Sequence, residues 1–154
     1  MFSDYLNSFE KVLSTTSASQ KDGSAIDLDL CFQQVINHLK NIRNEGNRVY
    51  LVGNGGSSGI VSHGAVDFLN ACGFKAHAIT DNSLLTCIAN DYGYENVFSQ
   101  PLSTLLDEGD VLIAISSSGN SMNIVNACKM AHSKRASVIG FSGFKSDNKL
   151  RTAG

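Results

Sequence analysis

Two short segments combine glycine, serine and asparagine in a way that suits the binding of an anion. Residues 53–58 read GNGGSS, and residues 116–121 read SSSGNS. Glycine lets a ligand approach the backbone closely, and serine hydroxyls can donate hydrogen bonds. Each segment precedes a stretch that predicts a helix, whose N-terminus offers free N–H groups and the positive end of a dipole. We therefore expect the two segments together to bind a phosphate or a sugar. Either segment alone could instead be a turn that caps a helix.

Neither segment is a nucleotide-binding motif. Ser58 stands where the last glycine of G-x-G-x-x-G would fall, and the sequence contains no G-x-x-x-x-G-K-S/T. The second motif is required for a P-loop, so a P-loop nucleoside triphosphatase is excluded.

Two further pairs of polar residues could do chemistry. His63 and Asp67 are four residues apart in a predicted helix, so they share one face and could bind zinc or act as an acid and a base. A surface hydrogen bond is the alternative interpretation. Asn90 and Asp91 are predicted to lie in a polar loop over residues 88–93, where they could bind sugar hydroxyls or form a turn.

The elements that must position these residues follow an α/β pattern. Apolar runs predict strands at 49–52, 76–79, 111–115 and 137–141, and helical periodicity predicts helices near 4–13, 26–44, 58–71, 84–90, 97–106 and 122–133. Alternating strands and helices favour a parallel sheet covered on both faces, with ligands at the carboxyl ends of its strands. We predict one domain over 1–154, with N-terminal helices in 1–46 and the α/β core in 47–154.

Charge, hydropathy and cysteine spacing indicate which partners and which cell compartment to expect. The formal net charge is −2, so we expect no nucleic-acid partner. No apolar stretch approaches the roughly 18 residues of a spanning helix, and no signal peptide is visible, so we expect neither a membrane nor export. The cysteines, Cys31, Cys72, Cys87 and Cys128, lack metal-site spacing, and we interpret them as buried thiols of a cytoplasmic protein.

The motifs, taken in order, resemble a known family. The segments VYLVGNGGSS, AITDNSLLTCIANDYGYENVFSQ and EGDVLIAISSSGNSMNIVNACKMA lie between residues 49 and 143. Together they are similar to the sugar isomerase (SIS) domain, and more narrowly to bacterial phosphoheptose isomerases. The resemblance implies a three-layer sandwich with a flavodoxin-like parallel sheet, and a homotetramer with active sites at subunit interfaces. It also implies a fifth strand and a closing helix, bearing a glutamine and a histidine of the site, which the 154 residues do not include.

The resemblance implies a reaction and assigns residues to it. The reaction is the ketose–aldose isomerisation of sedoheptulose 7-phosphate to a heptose 7-phosphate, through an enediol, for the heptose of lipopolysaccharide or capsule. Asp67 matches the catalytic acid/base, and His63 and Asp67 match zinc ligands. The residues that match substrate contacts are Asn54, Gly55, Gly56, Ser57, Asn90, Asp91, Ser116, Ser117, Ser118 and Ser121.

One departure from the family keeps a second function open. The family has glutamate where this chain has Asp67, which shortens the reach of the carboxylate by roughly 1.5 Å. A misplacement of about 1 Å can cost on the order of 100-fold in rate. The alternative is therefore a non-catalytic SIS module that binds a sugar phosphate or another protein and serves a regulatory role.

Overall fold

The computed structural model describes residues 1–153, and its N-terminal part consists of two helices and a small hairpin. Helix α1 spans Phe2–Ser14 and helix α2 spans Leu28–Glu45, and the antiparallel strands β1 (Ala18–Ser19) and β2 (Ala25–Ile26) lie between them. The second helix begins two residues later than the predicted start near residue 26, because that residue belongs to β2. The helix begins after Asp27, whose carboxylate accepts the N–H of Leu30 at 3.0 Å.

The remaining residues alternate between strands and helices, as the sequence predicts. In chain order these elements are β3 (Arg48–Gly53), α3 (Gly56–Asn70), β4 (Lys75–Ala78), α4 (Asn82–Tyr92), a 3₁₀ turn (Tyr94–Asn96), α5 (Ser99–Leu105), β5 (Val111–Ser116), α6 (Met122–Ser133), β6 (Ser137–Ser142) and α7 (Leu150–Ala153). The predicted strands and helices of this part are present with ends that differ by no more than two residues.

Four parallel strands form the central sheet, in the order β4-β3-β5-β6. The chain runs from β3 to β4 on one side and then returns to place β5 on the other side of β3. This reversal between β3 and β5 is a topological switch point, where the loops that follow the two strands diverge and leave a crevice.

The sheet has a hydrophobic core on each face, which gives the fold its three layers. Val49 and Leu51 of β3 pack in one core with residues of α2 and α3. Tyr50 and Val52 pack in the other with residues of α5, α6 and α7. Neighbouring side chains of a strand point to opposite faces, so a continuous apolar run fills both cores. The predicted α/β three-layer sandwich is confirmed.

The last described residues, 150–153, form one helical turn. Leu150 is 1% exposed and packs in the core beside α6, which favours the helical turn because it buries this side chain.

Helix α1 is exposed along its whole length. It has no buried residue, although it carries large apolar side chains on one face. No helix within residues 1–153 is both long and apolar enough to cross a bilayer.

Candidate functional site

The two glycine- and serine-containing segments lie side by side at the carboxyl edge of the sheet. Gly53 at the end of β3 is in register with Ile115, one residue before β5 ends at Ser116. The segment after β3 leads into α3 and the segment after β5 leads into α6. We call them the first loop (residues 53–57) and the serine loop (residues 116–121). The switch point of the sheet therefore brings together the two segments that the sequence analysis singled out.

The first loop needs glycine for steric reasons. A Cβ atom on Gly53 would lie 2.8 Å from the backbone carbonyl carbon and oxygen of Ser57, so a side chain there would displace the first turn of α3. Gly55 has φ +53° and precedes α3, and no side chain caps this helix. Gly55 and Gly56 are exposed, while Ser57 is buried. The helix N-terminus is therefore open to a ligand at the glycines rather than at Ser57.

The serine loop presents hydroxyls before the N-terminus of α6. Ser116 is buried, and both its carbonyl oxygen (2.9 Å) and its Oγ (3.2 Å) accept the N–H of Gly119. The Oγ of Ser118 accepts the N–H of Asn120 at 3.2 Å. Ser121 precedes α6 without capping it through its side chain, and Ser117 is exposed. The loop thus uses two serine oxygens to hold its own shape and leaves hydroxyl protons for an anion.

Residues after β6 support the serine loop. Gly119 has φ +64°, and Leu150 N–H donates to its carbonyl oxygen at 2.8 Å. The Asn148 side chain lies against Gly119, is 3% exposed, and donates to Ser142 Oγ at 2.9 Å and to the Lys145 carbonyl oxygen at 2.7 Å. The loop conformation is therefore fixed by packed neighbours.

A pair of side-chain amides joins the first loop to the first turn of α6, directly after the serine loop. Asn54 Nδ2 donates to Asn123 Oδ1 and Asn123 Nδ2 donates to Asn54 Oδ1, each at 2.9 Å. The Tyr94 hydroxyl also donates to Asn54 Oδ1, at 3.2 Å. The sequence analysis named Asn54 but missed Asn123 and Tyr94. A polar residue inside the apolar run 122–125 was the available signal for Asn123.

His63 and Asp67 lie on the face of α3 that points away from the sheet. The face toward the sheet carries the buried residues Ser57, Val61 and Ala65. His63 Nε2 is 3.8 Å from Asp67 Oδ1, and the two side chains are 77% and 65% exposed. The predicted pairing of these two groups on one helix face is therefore present.

Imidazole and carboxylate are suitable zinc ligands, but these two residues form only half of a site. Among the described residues, no group of three or more His, Cys, Asp and Glu could hold a metal ion. A catalytic zinc site has three protein ligands, so zinc would need at least one further ligand from another subunit or another segment.

Asn90 and Asp91 lie in the last turn of α4, so the prediction that they belong to a loop is wrong. Both are exposed, and Asn90 Nδ2 donates to Asp91 Oδ1 at 2.8 Å. The structure gives neither side chain a hydrogen bond to the first loop or the serine loop. This region reaches the first loop through Tyr94 instead.

Comparison with known proteins assigns the chain to a family. The sequence profile described as the SIS domain matches residues 4–143. The chain belongs to the SIS domain family. The match includes the first loop, the serine loop and the His63/Asp67 helix, so the resemblance predicted from these motifs is confirmed.

Individual relatives of this SIS domain are named phosphoheptose isomerase. The Aneurinibacillus thermoaerophilus protein is 36% identical over 146 residues, which cover 90% of this chain and 74% of the relative. The Campylobacter concisus protein is 40% identical over 122 residues, which cover 75% of this chain and 62% of the relative. The structure of phosphoheptose isomerase GmhA from Neisseria gonorrhoeae matches with a TM-score of 0.79 and 30% identity, over 97% of this chain and 74% of that one.

The thiols of the SIS domain differ from their predicted burial. Cys128 is buried, which raises the pKa of its thiol to about 12. Cys72 and Cys87 are exposed and Cys31 is half-buried, so the prediction of four buried thiols is wrong. The Cys87 thiol donates to Asp91 Oδ2 at 3.5 Å, and this hydrogen bond and the charge of Asp91 raise its pKa. A raised pKa disfavours the thiolate, so Cys87 is poorly suited to act as a nucleophile.

Proposed function

We propose that this SIS domain isomerises sedoheptulose 7-phosphate to a heptose 7-phosphate, which is used for the heptose of lipopolysaccharide or capsule. The observation that carries the proposal is the contact between Asn54 of the first loop and Asn123 of α6, the helix that follows the serine loop, at the switch point of the sheet. The relatives named phosphoheptose isomerase, which this chain covers to 62–74% of their length, support the choice of substrate.

The serine loop is the part of the site that suits the phosphate. It offers serine hydroxyls and the uncapped N-terminus of the 12-residue helix α6, and both favour a bound anion. A phosphate held there fixes one end of the sugar. The rest of the sugar then extends toward the first loop, where Asn54 and the exposed backbone of Gly55 and Gly56 can contact its oxygens.

Proton transfer is the chemistry that Asp67 can supply. Asp67 removes a proton from C1 of the ketose while the C2 carbonyl oxygen gains one, which gives the enediol. The enediol then gains a proton at C2 while its C1 hydroxyl loses one, which gives the aldose, so the reaction is balanced without an oxidant. His63 lies beside Asp67 and would share with it the binding of zinc, which when bound polarises the sugar oxygens.

The proposed activity is tested by incubating purified protein with sedoheptulose 7-phosphate and measuring the aldose phosphate, with added zinc and with EDTA. We expect aldose to form and EDTA to lower the rate. Turnover of other ketose phosphates but not of this one would overturn the choice of substrate.

A second candidate function is the binding of a sugar phosphate without turnover. It is favoured by the exposure of Asp67, by its shorter side chain, and by the two-ligand metal site of the described residues. If calorimetry detects binding of sedoheptulose 7-phosphate while no aldose forms with or without zinc, this candidate replaces the isomerase.

We propose further that the protein is a homotetramer with its active sites completed at subunit interfaces. Six apolar side chains of α1 are between 48% and 74% exposed: Phe2, Tyr5, Leu6, Phe9, Val12 and Leu13. An apolar surface of this extent is typical of a protein interface. Ile60 and Val66, which neighbour His63 and Asp67 on α3, are 61% and 46% exposed, so a subunit could cover the half-site there.

Light scattering is expected to give about four times the 16.4 kDa chain mass. Phe9→Glu should lower that mass, because it places a charge within the apolar face of α1, while Glu10→Gln should not. A wild-type protein with the mass of one chain would contradict the assembly.

A further inference from the structure

The hydrogen bonds around Asn54 and Asn123 have a fixed direction. The backbone N–H of Ile124 donates to Asn123 Oδ1 at 3.0 Å. Because a backbone N–H can only donate, the atom that it meets must be the oxygen of the Asn123 amide. Asn123 is 2% exposed, so a reversed amide could not exchange its protein partners for water. The polarity of the pair is therefore set by the backbone of α6.

This direction determines what Asn54 can offer to a ligand. Its Oδ1 accepts from Asn123 Nδ2 at 2.9 Å and from the Tyr94 hydroxyl at 3.2 Å, which occupies both lone pairs. Its Nδ2 gives one N–H to Asn123 Oδ1 and keeps the other. An amide has two donor hydrogens and two acceptor sites, so one N–H is all that remains. Asn54 can meet a ligand only as a hydrogen-bond donor.

We propose that Asn123 and Tyr94 are positioning residues that hold Asn54 as a donor toward an oxygen of the reacting sugar, an inference that rests on the proposed function. The oxygens of C1 and C2 gain electron density as the enediol forms. A donor that is already oriented stabilises such an oxygen without reorganising during the reaction. Neither positioning residue needs to contact the sugar, because both act through the Asn54 amide.

Asn123→Asp is the sharpest test of this role. The carboxylate keeps the size of the side chain and still accepts from Ile124 and Asn54, but it replaces the amide donor to Asn54 Oδ1 with an acceptor. The repulsion between two oxygens then turns or displaces the Asn54 amide. We expect kcat to fall by about 100-fold, which is the scale for loss of one oriented donor, with KM changed by less than about threefold.

Asn126→Asp is the matched control. Asn126 lies on the same helix, and its Nδ2 donates to the Glu95 carbonyl oxygen at 3.0 Å without contacting Asn54. This variant makes the same chemical change and loses a comparable hydrogen bond. We expect kcat within about twofold of the wild type, because a structural loss at α6 without a change at Asn54 leaves the donor in place.

Tyr94→Phe provides a second test in case Asn123→Asp does not fold. The Tyr94 side chain is 61% exposed, so removal of its hydroxyl should leave the melting temperature unchanged. In this variant Asn54 keeps its two hydrogen bonds with Asn123 and loses the one from the Tyr94 hydroxyl. We expect kcat to fall by about fivefold, in line with the loss of one ordinary hydrogen bond.

The outcomes separate this inference from the proposed function. If the wild type is active and Asn123→Asp and Tyr94→Phe both behave like Asn126→Asp, the positioning role is overturned. If the wild type binds sedoheptulose 7-phosphate without turnover, the isomerase proposal fails, and a Kd about tenfold weaker for Asn123→Asp than for Asn126→Asp still supports the positioning role. Equal Kd values would overturn it, and a wild type that neither binds nor converts the sugar would overturn both.

Discussion

Replacing Asp67 with asparagine is expected to lower the kcat for sedoheptulose 7-phosphate by at least about 1,000-fold, within the range attributed to a positioned acid or base. The amide has nearly the shape of the carboxylate but cannot accept a proton from the sugar. Asp67 is 65% exposed, and the nearby His63 Nε2 lies 3.8 Å from its carboxylate oxygen, so we expect the fold not to depend on it. The thermal midpoint of the variant, measured by circular dichroism, should match the wild type.

Two variants control for this substitution. Asp29→Asn removes an exposed carboxylate from the first turn of α2, far along the chain from the site, and should leave kcat unchanged. Asp67→Glu restores the longer carboxylate of the family and should retain turnover. If Asp67→Asn keeps kcat within about tenfold of the wild type, Asp67 is not the acid/base, and the proton transfer must be assigned elsewhere.

Replacing Gly119 with alanine is expected to cost both stability and sugar-phosphate binding. A Cβ atom there would lie 2.0 Å from Asn148 Oδ1 and 2.2 Å from its Cγ, and Asn148 is held in place by two hydrogen bonds. The positive φ adds backbone strain for any L side chain. Together these effects should cost about 3 kcal/mol and lower the thermal midpoint by roughly 6–12 °C.

Gly59→Ala is the matched control for Gly119→Ala. Gly59 lies in α3, and a Cβ atom there would meet no heavy atom within 4 Å. Alanine is favoured over glycine in a helix by about 1 kcal/mol, so this variant should be as stable as the wild type or more so. An unchanged thermal midpoint and an unchanged Kd for sedoheptulose 7-phosphate in Gly119→Ala would show that the serine loop does not need this glycine.

The sequence predicted the sheet well because its strands are long apolar runs. The runs at 49–52 and 111–115 contribute side chains to both cores. Apolar runs of this kind between helical stretches are typical of a buried parallel sheet. The end of α2 was predicted to within one residue, and the helix is followed there by Gly46 with φ +79°, a backbone conformation that favours glycine. The hairpin at 18–26 was missed because strands of two residues leave no periodicity. A turn in which Asp22 accepts from the Ser24 N–H at 2.9 Å helps to hold it.

The sequence indicated the two loops but not the side-chain contacts between distant segments. The loops stood out because both follow apolar strands and contain glycine. Asn123 did not stand out, because its role depends on the approach of α6 to the first loop, which is distant in sequence. The burial of the cysteines was also beyond the sequence, because the face of α4 that carries Cys87 is decided by packing. Contacts between distant segments therefore account for the missed residues.

The central claim is most directly tested by the entry of solvent deuterium into the substrate. Wild-type protein is incubated with sedoheptulose 7-phosphate and zinc in D₂O, and the recovered sugars are analysed by NMR. Removal and return of a proton through an enediol predicts deuterium at C1 of the recovered ketose and at C2 of the aldose. Recovery of unlabelled ketose without any aldose, from protein that binds the sugar by calorimetry, would contradict the isomerase.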